Sequence, residues 1–259
     1  MGVITMSIFA GIVGTGLGGA VSALFENRTD KAVSMFLSFA GGVMLSIVFF
    51  ELVPESLLHA SIFVTLMGLA VGIIMVLILN AVIDRVSSFN QSHSNLHDNF
   101  RDYYHESGLI SKNNHMIKSG VLMFLVIGLH NIPEGLAIGA AGNHDSAFGL
   151  TLALMIGLHN IPEGMAIAAP LISGGMSKWK SISLTLLAGV PTVFGAIIGV
   201  LAGGVSDMAI AISFSIAGGA MLYAVFGEIL PQSLHMSKDR VPTIVLLVGI
   251  AFGLLMTGL

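Results

Sequence analysis

Cysteine is absent from this 259-residue chain, which excludes disulfide staples and thiolate metal sites together. Charge is scarce as well: Asp, Glu, Lys and Arg supply 9% of the residues, where an ordinary soluble domain carries roughly a quarter. With 55% hydrophobic residues and a mean hydropathy of +0.94, the chain reads as an integral membrane protein. A net charge of −4 is too small to define a partner by itself, and no nucleic-acid partner is expected. A cleavable leader is not expected either, because the first apolar run is long enough to remain as a span. What the chain holds in quantity is Gly, 32 residues, and Met, 15 residues. Small residues let helix backbones approach closely in lipid.

Eight apolar runs approach the roughly 20 residues that a helical crossing needs. They lie at 3–25, 32–56, 61–83, 119–142, 146–172, 181–203, 208–233 and 241–258. The runs are continuous rather than alternating every second residue, so helices are favoured over a barrel. The expected fold is an all-α bundle of eight transmembrane helices. All ten Lys and Arg residues fall on one side: Arg28, Lys31, Arg85, Arg101, Lys112, Lys118, Lys178, Lys180, Lys238 and Arg240. The positive-inside rule makes that side cytoplasmic and both termini extracellular. A multi-pass protein of the plasma or inner membrane is the corresponding location. The opposite loops have no Lys or Arg, yet hold His144, Asp145 and Asp207, a balance that does not repel an arriving cation.

Two internal repeats shape the architecture. Ile-Gly-Leu-His-Asn-Ile-Pro-Glu-Gly occurs at Ile127 to Gly135 and again at Ile156 to Gly164, in the middle of the fourth and fifth spans. Ser38 to Leu57 aligns with Ser215 to Leu234 at an offset of 177 residues with 12 identities in 20, including Glu51/Glu228 and Pro54/Pro231. Each repeat pairs an even-numbered span with an odd-numbered one, so the copies cross the membrane in opposite directions. Transporters use such inverted repeats to build two similar states open to opposite sides, around a midplane site made by interrupted helices.

The twin string carries the chemistry. His130 and Glu134 are four residues apart, as are His159 and Glu163, so each pair projects from one helix face about a turn apart. Ionisable groups at this depth are expensive and persist where they line a cavity, pair or bind an ion. Pro133 and Pro162 lack an amide hydrogen, which frees the carbonyls of Leu129 and Leu158 and predicts a bend beside the ligands. Asn131 and Asn160 point about 100° away from their His neighbours and are auxiliary ligands. Imidazole with carboxylate and amide oxygen, without sulfur, suits zinc first, then iron or manganese, with cadmium as a plausible passenger. One principal ion is expected, on His130, Glu134, His159 and Glu163. Its binding displaces protons and is therefore lost in acid.

Further groups are weaker candidates. Glu51, Glu55 and His59 fall at successive turns of the second helix, and Glu51 gains weight from its acidic repeat partner Glu228. The loop from Asp84 to Lys118 holds His93, His97, His105 and His115 among polar residues. It reads as disordered or as short helical pieces, and its histidines are either incidental or collectors of departing metal.

The HNxPEG string at His130 to Gly135, its twin at His159 to Gly164, the eight helices and the His-containing loop resemble the ZIP (Zrt/Irt-like) family of divalent metal transporters. The likeness covers the whole chain and is greatest to the bacterial ZupT and GufA-like branches. It implies metal uptake into the cytoplasm, a 3+2+3 helix arrangement, a homodimer, and an elevator or rocking motion. It also makes His130, Asn131, Glu134, His159, Asn160 and Glu163 the transport ligands and Glu228 a gating or exit carboxylate. The corresponding division is 1–83 for helices 1 to 3, 84–118 for the loop, 119–172 for helices 4 and 5 with the metal site, and 173–259 for helices 6 to 8. Some relatives carry an acid before the sixth-helix proline, whereas Val190 precedes Pro191 here, which argues against a second ion.

Two other classes are open to the residues. A membrane metalloprotease needs His-Glu-x-x-His, and neither string has Glu beside its first His. A metal-sensing membrane protein would keep the ligands but has no need of inverted duplication. Hence no catalytic cofactor is expected; the divalent metal is the transported substrate, and the bilayer is the surrounding partner.

Overall fold

A computed structural model describes residues 2–24, 29–88, 109–201 and 206–257. They form eight helical spans: α1 (Val3–Leu24), α2 (Asp30–His59), α3 (Ile62–Ser88), α4 (Leu109–His144), α5 (Ser146–Ser173), α6 (Lys178–Leu201), α7 (Asp207–Met236) and α8 (Val241–Thr257). Seven of them are long and apolar enough to cross a bilayer, and α8 is a shorter apolar helix. Starts are chemically marked: Thr29, Asp145 and Ser206 each accept a backbone N–H with the side chain at an N-cap. Helix α3 runs to Ser88 and α4 begins at Leu109, so both flanks of the predicted 84–118 loop are helical; residues 89–108 lie outside the described residues.

Packing follows the inverted repeat. Helix α1 packs on α5 as α6 packs on α4, and α8 packs on α2 as α3 packs on α7. Glycines mediate these approaches at corresponding positions: Gly18 and Gly195 face Gly164 and Gly135, while Gly42 and Gly219 lie against α8 and α3. The pairs 18/195 and 42/219 are each 177 residues apart. The hydroxyls obey the same symmetry. Ser56 Oγ donates to Ala211 O at 2.9 Å, and its repeat partner Ser233 Oγ donates to Ser34 O at 2.8 Å. Helices α2 and α7 are thereby tied to each other at both ends.

The helical ladder widens away from the two motif prolines. Helices α4 and α5 continue through Pro133 and Pro162, since a single missing N–H leaves the flanking hydrogen bonds intact. Wide π-turns instead occur at Ile8–Val13, Val48–Leu52 and Ala224–Ile229. Val53 N–H reaches back five residues to Val48 O, and Leu230 N–H does the same to Val225 O. The next residue in each is Pro54 or Pro231, whose missing N–H frees the ladder to widen. Glu51 and Glu228 both sit in these turns, and π-turns are frequent at functional sites.

Candidate metal centre

His130 and Glu134 leave one face of α4, His159 and Glu163 one face of α5, and all four are buried. Glu134 Oε1 sits between the two imidazoles, 3.0 Å from His130 Nε2 and 2.7 Å from His159 Nε2. Glu163 Oε1 lies 3.6 Å from His130 Nε2. One donor atom from each of His130, Glu134 and Glu163 falls within 4.8 Å of the others. Zinc bonds of about 2.0–2.2 Å put tetrahedral donors about 3.3 Å apart, and the 3.0 and 3.6 Å separations bracket that edge. Both Glu163 oxygens, Glu134 Oε2 and His130 Nδ1 are buried without a hydrogen-bond partner. Buried carboxylate oxygens left unpaired are costly, so this donor set fits a cation.

The two asparagines do a structural task that their spacing did not reveal. In α6, Thr192 N–H turns to Gly189 O at 3.3 Å, which deprives the Ala188 carbonyl of its helical donor, and Asn131 Nδ2 supplies the replacement at 2.8 Å. Asn160 Nδ2 likewise donates to Ala10 O at 3.0 Å, inside the π-turn of α1. Only the Oδ1 atoms of Asn131 and Asn160 are left for a ligand, and both are buried without a partner. Gly135 and Gly164, which close the two strings, lie against the Thr192 and Thr15 backbones. The string thus encodes helix packing as well as the candidate donors.

Comparison with known proteins agrees with a metal centre in a membrane protein. The family model described as ZIP Zinc transporter matches residues 1–259. The chain belongs to the ZIP zinc transporter family. It is 31% identical to a zinc transporter ZupT of Corynebacterium glutamicum over 258 residues, covering 95% of this chain and 94% of that protein. It is 30% identical to a zinc transporter ZupT of Akkermansia muciniphila over 98% of this chain and 94% of the relative. A third similar protein, a zinc transporter ZupT of Chlorobium chlorochromatii, is 30% identical over 88% of this chain and 86% of its own length. This ZIP chain is therefore a multi-pass membrane transporter of divalent metal and not an enzyme.

The remaining predicted residues of this ZIP protein divide into those near the centre and those apart from it. Glu51 Oε2 approaches His159 Nδ1 at 4.0 Å, so α2 contributes a carboxylate at the edge of the site. Its repeat partner Glu228 is placed differently, accepting from Asn80 Nδ2 at 3.1 Å, and is not in the cluster around His130. Spacing does not single out Asn80; its signal is one amide near the end of the otherwise apolar span of α3. Glu55 and His59 lie together at the end of α2, with Nε2 to Oε1 at 3.3 Å. His115 lies, partly buried, on α4, and His93, His97 and His105 fall outside the described residues.

Proposed function

We propose that this chain carries zinc into the cytoplasm by alternating access, with one ion held by His130, Glu134, His159 and Glu163. Iron, manganese and cadmium are the other cations this donor set accommodates. The observation that carries the reading is the placement of Glu134 Oε1 between two imidazoles from opposed helices, beside the unpartnered oxygens of Glu163. An arriving ion takes the place of the protons that Glu134 shares with His130 and His159, so loading releases protons and fails in acid. Asn131 and Asn160 assist only through Oδ1, because their nitrogens are committed to the backbone.

Direction follows from charge. The end that holds Lys31 and Asp239 faces the cytoplasm by the positive-inside rule, and the termini lie outside in the cell membrane. Glu51 on the outer half and Glu228 on the inner half are equivalent by repeat, yet Glu51 alone adjoins the centre here. Release then passes Glu228 and Asn80. Val190 before Pro191 supports a single ion. A homodimer is part of the same reading on the family resemblance and is checked by mass photometry of the detergent-purified protein. The experiment for the function itself is zinc influx into sealed proteoliposomes. Wild type is expected to load, and His130→Ala and Glu134→Ala, at equal reconstituted protein, are expected to lose uptake. Wild-type rates in either variant refute the site.

A further inference from the structure

At the basic-residue-free end of the bundle, the last residue of α2 meets the first residue of α7. His59 Nδ1 lies 3.1 Å from Asp207 Oδ1, and His59 Nε2 lies 3.3 Å from Glu55 Oε1. The imidazole is thus held on both edges, by a carboxylate one turn back on its own helix and by one from the other repeat. A ring with one nitrogen donating to a carboxylate presents the second nitrogen as a lone-pair donor, which is the arrangement that orients metal-bound histidines. The 3.3 Å separation of His59 Nε2 and Glu55 Oε1 equals the edge of about 3.3 Å expected between two donors on one zinc. Beneath them on α2 comes Glu51, which adjoins His159.

Side-chain exposure is 79% for Asp207, 27% for His59, 43% for Glu55 and 26% for Glu51, and it drops to 4% for His159 and 3% for Glu134. His59, Glu55 and Glu51 follow one another along α2 at intervals of one helical turn, from the partly exposed end to the neighbour of buried His159. The described Lys and Arg side chains lie toward the other end, so among the described residues no Lys or Arg competes for these carboxylates.

We infer that Glu55 and His59, oriented by Asp207, form an outer capture site for a divalent cation, from which the ion passes by Glu51 to His159 and Glu134. The inference rests on the transport reading of the buried centre and adds to it a second, weaker site. Two protein donors with water completing the shell give fast exchange, which suits a waiting position and not a storage site.

The test counts sites and separates the two readings. In the full chain carrying His130→Ala and Glu134→Gln, zinc competition against a chromophoric chelator is expected to find one remaining weak site, which a further His59→Ala removes. In proteoliposomes, Glu55→Gln, His59→Ala and His59→Gln are expected to raise the half-saturating zinc concentration about tenfold while the maximal rate moves far less. Asp207→Asn is expected to shift it in the same direction, through the imidazole it orients. His59→Gln keeps a hydrogen-bonding side chain, so a folding defect in the alanine variant does not decide the matter. The proposal is overturned if the centre-disabled chain binds no zinc. It is equally overturned if the His59 variants lower the melting temperature and maximal rate without moving half-saturation, the result a purely structural strap gives. Absence of transport by wild type would defeat the transport reading, while the site count still decides whether His59 holds metal.

Discussion

Gly164→Ala is the substitution whose outcome the packing dictates most directly. A Cβ at residue 164 would meet the Thr15 carbonyl group, with its carbon at 2.8 Å and Gly18 Cα at 3.1 Å. Both neighbours are backbone, so no side chain can turn aside and helices α1 and α5 must separate. Overpacking of this kind typically costs about 1–3 kcal/mol. At roughly 2–4 °C per kcal/mol for a chain near this length, the melting temperature falls by about 2–12 °C. Glu163 precedes this residue and His159 lies on the same helix, so the widening moves two ligands at once and zinc uptake falls with stability. Gly128→Ala, in the other copy of the nine-residue string, is the control. Its Cβ meets nothing closer than 3.9 Å, and exchange of Gly for Ala favours a helix by about 1 kcal/mol. Thermal unfolding in detergent, paired with zinc influx, compares the two. If Gly164→Ala melts and transports like wild type, close approach of α1 to α5 does not position the centre and the reasoning is wrong.

Asn131→Ala and Asn160→Ala each strand a backbone carbonyl, Ala188 O or Ala10 O, at an expected loss of about 1–3 kcal/mol. Denaturant unfolding measures it, and unchanged midpoints in both variants refute the assignment. At the basic end of the bundle, the hydrogen bond from Lys31 holds Asp239 below the ordinary carboxylate value of 3.8, assisted by Ser237 Oγ. A depressed value stabilises the fold above pH 3.8 and stops doing so as pH falls from there through the folded value. Asp239→Asn is expected to flatten that acid limb in melts taken across the window, and the wild-type limb is expected to shrink in high salt because the pair is exposed.

Much of this was legible in the residues. Eight apolar runs became eight helices because lipid leaves the backbone no partner except itself. Spacing of four put His and Glu on one face, and that face is where Glu134 meets His130 and His159. The offset of 177 residues between Glu51 and Glu228 reappears as paired π-turns and paired serine hydrogen bonds. What spacing alone could not supply was the identity of partners far away in the chain. The donor that satisfies Ala188 O comes from residue 131, and the partner of Glu228 is Asn80, 148 residues away. The π-turns were not legible for a related reason: where a helical ladder widens depends on neighbours on adjacent helices as well as on a nearby proline.

The serine ties between α2 and α7 have a mechanical consequence. With Ser56 fastened to Ala211 and Ser233 to Ser34, these two helices cannot slide past each other without breaking a bond at each end. Together with α3 and α8 they form one block, and α1, α4, α5 and α6 form another. The seam between the blocks runs beside the ligands, with Glu51 on one bank and His159 on the other. On the proposed site, a shift along this seam would ferry the cargo with the second block, leaving Glu51 and Glu228 behind on the first as two moorings.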